Sequence, residues 1–131
     1  MADQPNPNIQ QAAGALLAQI PRHTFTIPES ERTLPTDPST ITLRELTYGE
    51  ELQAKRVALA NGDVNSIDES AKRSIEAADG KPITWENDGK ERFYANLSQK
   101  VRELVQQGYV EIALPKDKSR VAFLASRKTN L

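Results

Sequence analysis

The chain has 131 residues, of which 37% are hydrophobic and 27% charged, a length for one domain of ordinary size and not for two well-buried ones. Its 17 basic and 18 acidic residues leave a formal net charge of −1, which gives no positive footprint for a nucleic-acid duplex. It has no cysteine, hence no disulfide, thiolate metal site or thiol nucleophile, and no apolar run approaches the roughly 20 residues that cross a bilayer.

The N-terminal segment Asn8-Ile-Gln-Gln-Ala-Ala-Gly-Ala-Leu-Leu-Ala-Gln-Ile20 is strongly periodic. Ile9, Ala12, Ala13, Leu16, Leu17 and Ile20 fall at helical spacing on one stripe, with Asn8 placed to cap the start and Pro21 to stop it. Gly14 weakens this helix by about 1 kcal/mol relative to alanine. A helix this short is marginal alone in water, so it packs on its own domain or on a partner. Its polar face is glutamine (Gln10, Gln11, Gln19), and no charge lies between Asp3 and Arg22. A membrane-surface helix carries Lys or Arg there, so the stripe reads as a helix-in-groove ligand or as a cover for its own domain.

Six of the eight prolines lie in the first 38 residues, and residues 22–39 read as a proline-rich linker. Within it Thr24-Phe-Thr-Ile27 alternates like a short edge strand. Thr40-Ile-Thr-Leu-Arg-Glu-Leu46 alternates more clearly, with Ile41 and Leu43 on one face, so the two stretches can pair as a hairpin with a long loop. Thr47 with Glu50 has capping-box spacing and opens a helix whose apolar face is Tyr48, Leu52 and Leu59, stopped at Asn61-Gly62. Ser66 with Glu69 repeats that spacing before a second helix, lined by Ile67, Ala71, Ile75 and Ala78 and ended by Asp79-Gly80. Lys81–Trp85 reads as a short extended piece that buries Ile83 and Trp85. A helical stretch with Phe93, Tyr94 and Leu97 follows Asn87-Asp88-Gly89. Ser98 caps the longest helix, to about Leu114, with the stripe Val101, Leu104, Val105, Ile112 and Ala113 and with Tyr109 on its flank; Pro115 ends it. The last helix, near Lys118 to Ser126, offers Val121, Leu124 and Ala125 on one face and Phe123 on a neighbouring one.

Catalytic chemistry finds little to work with. The lone His23 lies in the proline-rich segment, and one histidine without cysteine makes neither the usual nucleophile–base unit nor a common zinc site. Asp63-Val-Asn-Ser-Ile-Asp68 begins like a calcium loop and fails at Ile67, at Asp68 in place of glycine and at Ser74 in place of glutamate. No glycine-rich phosphate loop occurs. The acidic pairs Glu50-Glu51 and Asp68-Glu69 fall in helix first turns, where they favour the dipole. Lys116, Lys118, Arg120, Arg127 and Lys128 make the C-terminal end basic, but Phe123 is the only aromatic beside them to stack on a base. The residues therefore point to a non-enzymatic, protein-binding chain without cofactor or metal.

Thr40-Ile-Thr-Leu-Arg-Glu-Leu-Thr-Tyr-Gly-Glu-Glu-Leu52 resembles the tail assembly chaperones of long-tailed bacteriophages, which show an extended Thr-Leu-Arg-Glu segment before a Thr-initiated helix. Asp79-Gly-Lys-Pro-Ile83 and Phe93-Tyr-Ala-Asn-Leu-Ser-Gln-Lys-Val-Arg-Glu-Leu-Val105 are also similar to that family. The resemblance spans roughly residues 40–126, and the N-terminal helix and its proline-rich segment do not map onto it. It implies a protein of the host cytoplasm that coats the tape measure protein before the tail tube polymerises.

The expectations are these. The fold class is mainly α (α+β): an N-terminal helical arm (1–21), a proline-rich linker (22–39), and a small helical domain (40–131) opening on a short β-hairpin or strand. Partners are the tape measure protein or other tail proteins, with self-association possible and with neither nucleic acid nor membrane. Contact residues are Ile9, Leu16, Leu17 and Ile20 on the arm, and Tyr48, Phe93, Tyr94 and Tyr109 on the domain, where plain core packing is the competing role. Alternative functions are a structural tail or baseplate component that grips neighbouring subunits with its arm, and a small DNA-binding regulator.

Overall fold

The computed structural model describes residues 17–114 and 117–126. The predicted arm helix lies mostly outside these residues, Ile9 and Leu16 included; only its last turn, residues 17–19, is described and is helical. The fold is α+β, as expected. Strands β1 (Arg22–Thr26), β2 (Thr40–Arg44), β3 (Ile75–Ala78) and β4 (Lys81–Pro82) form an antiparallel sheet in the order β1-β2-β3-β4. The helices are α1 (Tyr48–Ala60), α2 (Ile67–Ser74), α3 (Gly89–Ala95), α4 (Gln99–Ala113) and α5 (Asp117–Ala125).

The hairpin of β1 and β2 forms as the alternation predicts, with Phe25 opposite Ile41 and Thr24 opposite Thr42. Residues 22–39 are therefore not a free linker. β1 belongs to the sheet, Ile27 is in the core, and the loop between the strands is fastened at two points. Asp37 accepts from the Ser98 N–H (2.9 Å) at the start of α4, and Asp79 accepts from the Ser39 and Thr40 N–H groups (2.9 and 3.0 Å). These hydrogen bonds make the loop an ordered crossing rather than a spacer.

The second predicted helix is half right. Ile67, Ala71, Ile75 and Ala78 do face inward, but the helix stops at Ser74 and Ile75–Ala78 is a strand. Three causes converge. The Ser74 hydroxyl donates to the Ala71 carbonyl (2.6 Å), diverting the last turn. Ile75 is β-branched, and β2 has a second edge to fill. Asp79 (φ 51°) and Gly80 (φ 77°) are both left-handed, which is the two-residue turn that joins antiparallel strands with matching twist. Asp-Gly here is a hairpin signal and not only a helix stop. The capping box predicted at Ser66 also does not form. Asn65 Oδ1 takes the Ile67 N–H instead (3.0 Å), while Glu69 pairs with Lys72 and Arg73 (2.6 and 3.4 Å).

The caps of α1 and α4 form as predicted. Thr47 and Glu50 make a reciprocal capping box, and Ser98 accepts from the Val101 N–H (3.3 Å). At the far end of α1, Gly62 (φ 83°) closes the helix: its N–H goes to Leu59 and that of Asp63 to Ala58 (3.0 and 2.8 Å). The core joins one sheet face to α2, α3 and α4, through Ile41, Leu43, Ile75, Ala71, Tyr94, Val101, Val105 and Tyr109. Gly108 sits within α4 because the helix lies against the β1–β2 hairpin. A β-carbon there would stand 3.2 Å from Leu43 Cδ1 and 3.5 Å from the Phe25 ring.

Candidate partner-binding surface

Helix α1 turns Tyr48 and Leu59 of its predicted apolar face outward and keeps Leu52 half-buried. Its buried residues are Ala54 and Ala58, which let it approach Ser70, Ala71 and Ser74 of α2 closely, while Tyr48 and Leu59 are 81% and 66% exposed. Large side chains would have held the two helices apart; the alanines set the close face, and the larger residues fall on the other. Tyr48 is thus on the surface, as a contact residue must be. Tyr94 and Tyr109 are in the core and are withdrawn as contacts, and Phe93 is half-buried against that core. Burial and hydrogen bonding explain Tyr94. Its hydroxyl donates to Asp68 Oδ1 (2.6 Å), and Gln106 Nε2 donates to both (2.6 and 3.1 Å), tying α2, α3 and α4 together.

Leu17 and Ile20, the described contact candidates of the arm, are half-buried. The Arg22 guanidinium donates to the carbonyls of Leu17, Ala18 and Ile20 (2.8, 3.3 and 2.6 Å) and to Glu76 (3.0 Å). It satisfies the open carbonyl end of the turn and fixes it to β3. Leu17 and Ala18 line a hollow with Ile83, Trp85 and Lys90, so the last turn of the arm rests on its own domain.

Below that turn lies a charge network that the sequence did not disclose. Arg44 donates to Glu50 through two nitrogens (2.8 and 2.6 Å) and to Glu76 through a third. Burial alone would raise the Glu50 carboxyl, but hydrogen bonds from Arg44 and the Thr47 N–H overcome it and bring the pKa down to about 2. Lys90 Nζ donates to the Arg73 carbonyl (2.9 Å), and burial lowers its pKa. Lys90 and Arg73 stand 5.2 and 5.3 Å from the centre of the Trp85 ring, which is 44% exposed and not buried as expected. Every carboxylate here is already paired, and the network's evident work is to join β1, β2, β3 and the start of α1. Among the described residues no group of three His, Cys, Asp or Glu side chains is placed to hold a metal ion.

The surface with unspent apolar area is at the C-terminal end. Val110 and Leu114 emerge from the end of α4 at 37% and 61% exposure. With Ile67, Gln106, Gln107 and Glu111 they line an open groove of about 520 Å³. On α5, Val121, Phe123 and Leu124 are 64%, 73% and 54% exposed. An isolated helix of nine residues is marginal in water, and its large apolar side chains are not covered by the domain. Val121 and Leu124 share a face and Phe123 lies on a neighbouring one, so the exposed apolar side chains are spread around the helix. No helix among the described residues is long and apolar enough to cross a membrane.

No match settles what this surface meets. No protein-family model, curated protein or solved structure matches the chain.

Proposed function

We propose that this protein is a tail assembly chaperone of a long-tailed bacteriophage, which binds and shields the tape measure protein in the host cytoplasm before the tail tube polymerises. It acts by binding alone and carries out no catalysis. The observation that carries the reading is α5, a nine-residue helix with Val121, Phe123 and Leu124 turned to solvent. Such a helix gains its stability by docking, and a long helical client with exposed apolar stripes is the kind of chain that supplies a continuous groove or ridge for it. The outward stripe of α1, with Tyr48 and Leu59, offers a second contact to the same extended client. The resemblance over Thr40–Leu52 and Phe93–Val105 supplies the identity of that client.

Co-expression tests the reading. A tape measure protein of a long-tailed bacteriophage is produced with and without this chain, and its soluble fraction and co-purification are measured. The expected result is a several-fold gain in soluble client and recovery of the two proteins together. An unchanged soluble fraction with no co-purification would contradict the proposal.

A further inference from the structure

β1 is an edge strand, and no strand among the described residues pairs with its outer side. The pairing with β2 fixes which backbone groups look outward. The Ile27 N–H donates to the Ser39 carbonyl (2.8 Å), so by antiparallel alternation Phe25 and His23 are the residues bonded to β2. The backbone N–H and C=O groups of Arg22, Thr24 and Thr26 therefore point away from the sheet. The Thr24 and Thr42 hydroxyls, 2.9 Å apart, fit that assignment, since side chains approach most closely at non-hydrogen-bonded pairs.

From this edge we infer that two copies of the chain pair β1 to β1 in antiparallel register about Thr24, joining two four-stranded sheets into one. The sequence favours this two-fold register: centring on His23 instead would call on the Ile20 N–H, which already donates to the Leu17 carbonyl (3.2 Å). With Thr24 opposite its own copy, Arg22 meets Thr26, and all three outward-facing residues form narrow pairs, about six backbone hydrogen bonds in all. Pro21 and Pro28 then lie just outside the ladder. Shifting the centre to Phe25 or Thr26 sets Pro28, which has no N–H, where a donor is needed. Shifting it to Arg22 sets two arginines face to face, and like charges directly opposite are destabilising. In the Thr24 register, His23 of one copy stands beside Phe25 of the other on the α4 side of the sheet. An open cavity of about 460 Å³ there, lined by His23, Phe25, Glu111 and Ile112, leaves room for both. The ladder is short, so the association is weak and concentration-dependent.

Cysteine cross-linking of the full chain tests pairing and register together, because the natural sequence has no cysteine. In Thr24→Cys the two thiols face each other across a narrow pair, roughly 5.5 Å between α-carbons, within disulfide reach. In Thr26→Cys they are roughly 13 Å apart and out of reach. Mild oxidation is expected to give a disulfide-linked dimer with Thr24→Cys and not with Thr26→Cys. In sedimentation equilibrium the wild type is expected to rise toward twice the monomer mass with concentration. Thr24→Pro removes an outward N–H and none bonded to β2, and should weaken the association by at least about tenfold with an unchanged far-ultraviolet circular dichroism spectrum. A wild-type mass that stays monomeric at every concentration would overturn the inference. So would equal cross-linking of both cysteine variants, or faster cross-linking of Thr26→Cys.

Discussion

Arg44 illustrates what one residue does in a small domain. It sits 5% exposed at the end of β2, where a lone guanidinium would be strongly penalised, and Glu50 and Glu76 neutralise it from α1 and β3. Glu50 also closes the α1 cap, so one carboxylate serves the helix terminus and the buried cation together. Its pKa falls from 4.5 to about 2 on folding, so its contribution is fully present above pH 4.5 and is lost as the pH falls toward 2. Glu50→Gln is expected to lower unfolding stability at pH 7 by about 2 kcal/mol and to flatten the decline between pH 4.5 and 2, as measured by urea titration at stepped pH. An equally steep decline in the variant would show that other carboxylates control it. The cap was legible because Thr47 and Glu50 are three residues apart. The ion pair was not, because Glu76 lies in a segment that reads as helix until the turn at Asp79-Gly80 is taken as a hairpin. The aromatic residues were equally ambiguous: Tyr48, Tyr94 and Tyr109 look alike in sequence, and only the direction each helix faces separates surface from core.

At the scale of elements, local chemistry was read well where it was decided locally. The caps at Thr47 and Ser98, the stop at Gly62 and the alternation in β2 depend on residues within a few positions, and each formed as expected. The switch from α2 to β3 depends on β2, more than 30 positions earlier, and periodicity could not reveal it. Glycine positions give a prediction at this scale. Gly89 opens α3 with ordinary helical angles, and alanine at a helical site usually gains up to about 1 kcal/mol over glycine. Here a β-carbon would collide with the Thr84 backbone carbonyl, which has no flexible end to move aside. Gly89→Ala is expected to destabilise by about 1–3 kcal/mol in denaturant titration. Gly49→Ala in the first turn of α1, whose nearest neighbour would be Thr47 Oγ1 at 4.0 Å, should be neutral or stabilising. Equal effects at the two sites would show that the Thr84 contact does not decide them.

For the whole molecule, α+β architecture followed from the run of alternating and periodic segments, and one extended sheet edge and one uncovered helix are its consequences. The sheet takes helices on the face of Ile41 and Leu43 and presents Thr24 and Thr42 on the other. α4 runs along the covered face and delivers Val110 and Leu114 to the end that leads into α5. Which apolar residues remain outside such a core is a property of the packed molecule and could not be read from any one helix. Docking of α5 on the proposed client is tested by co-purification of a tape measure protein with a variant in which Val121, Phe123 and Leu124 are all changed to Ser. These side chains are exposed, so the variant should keep the wild-type melting temperature within a few degrees. Recovery of the tape measure protein is predicted to fall by at least about tenfold. A folded variant that recovers the client as well as the wild type would contradict the account.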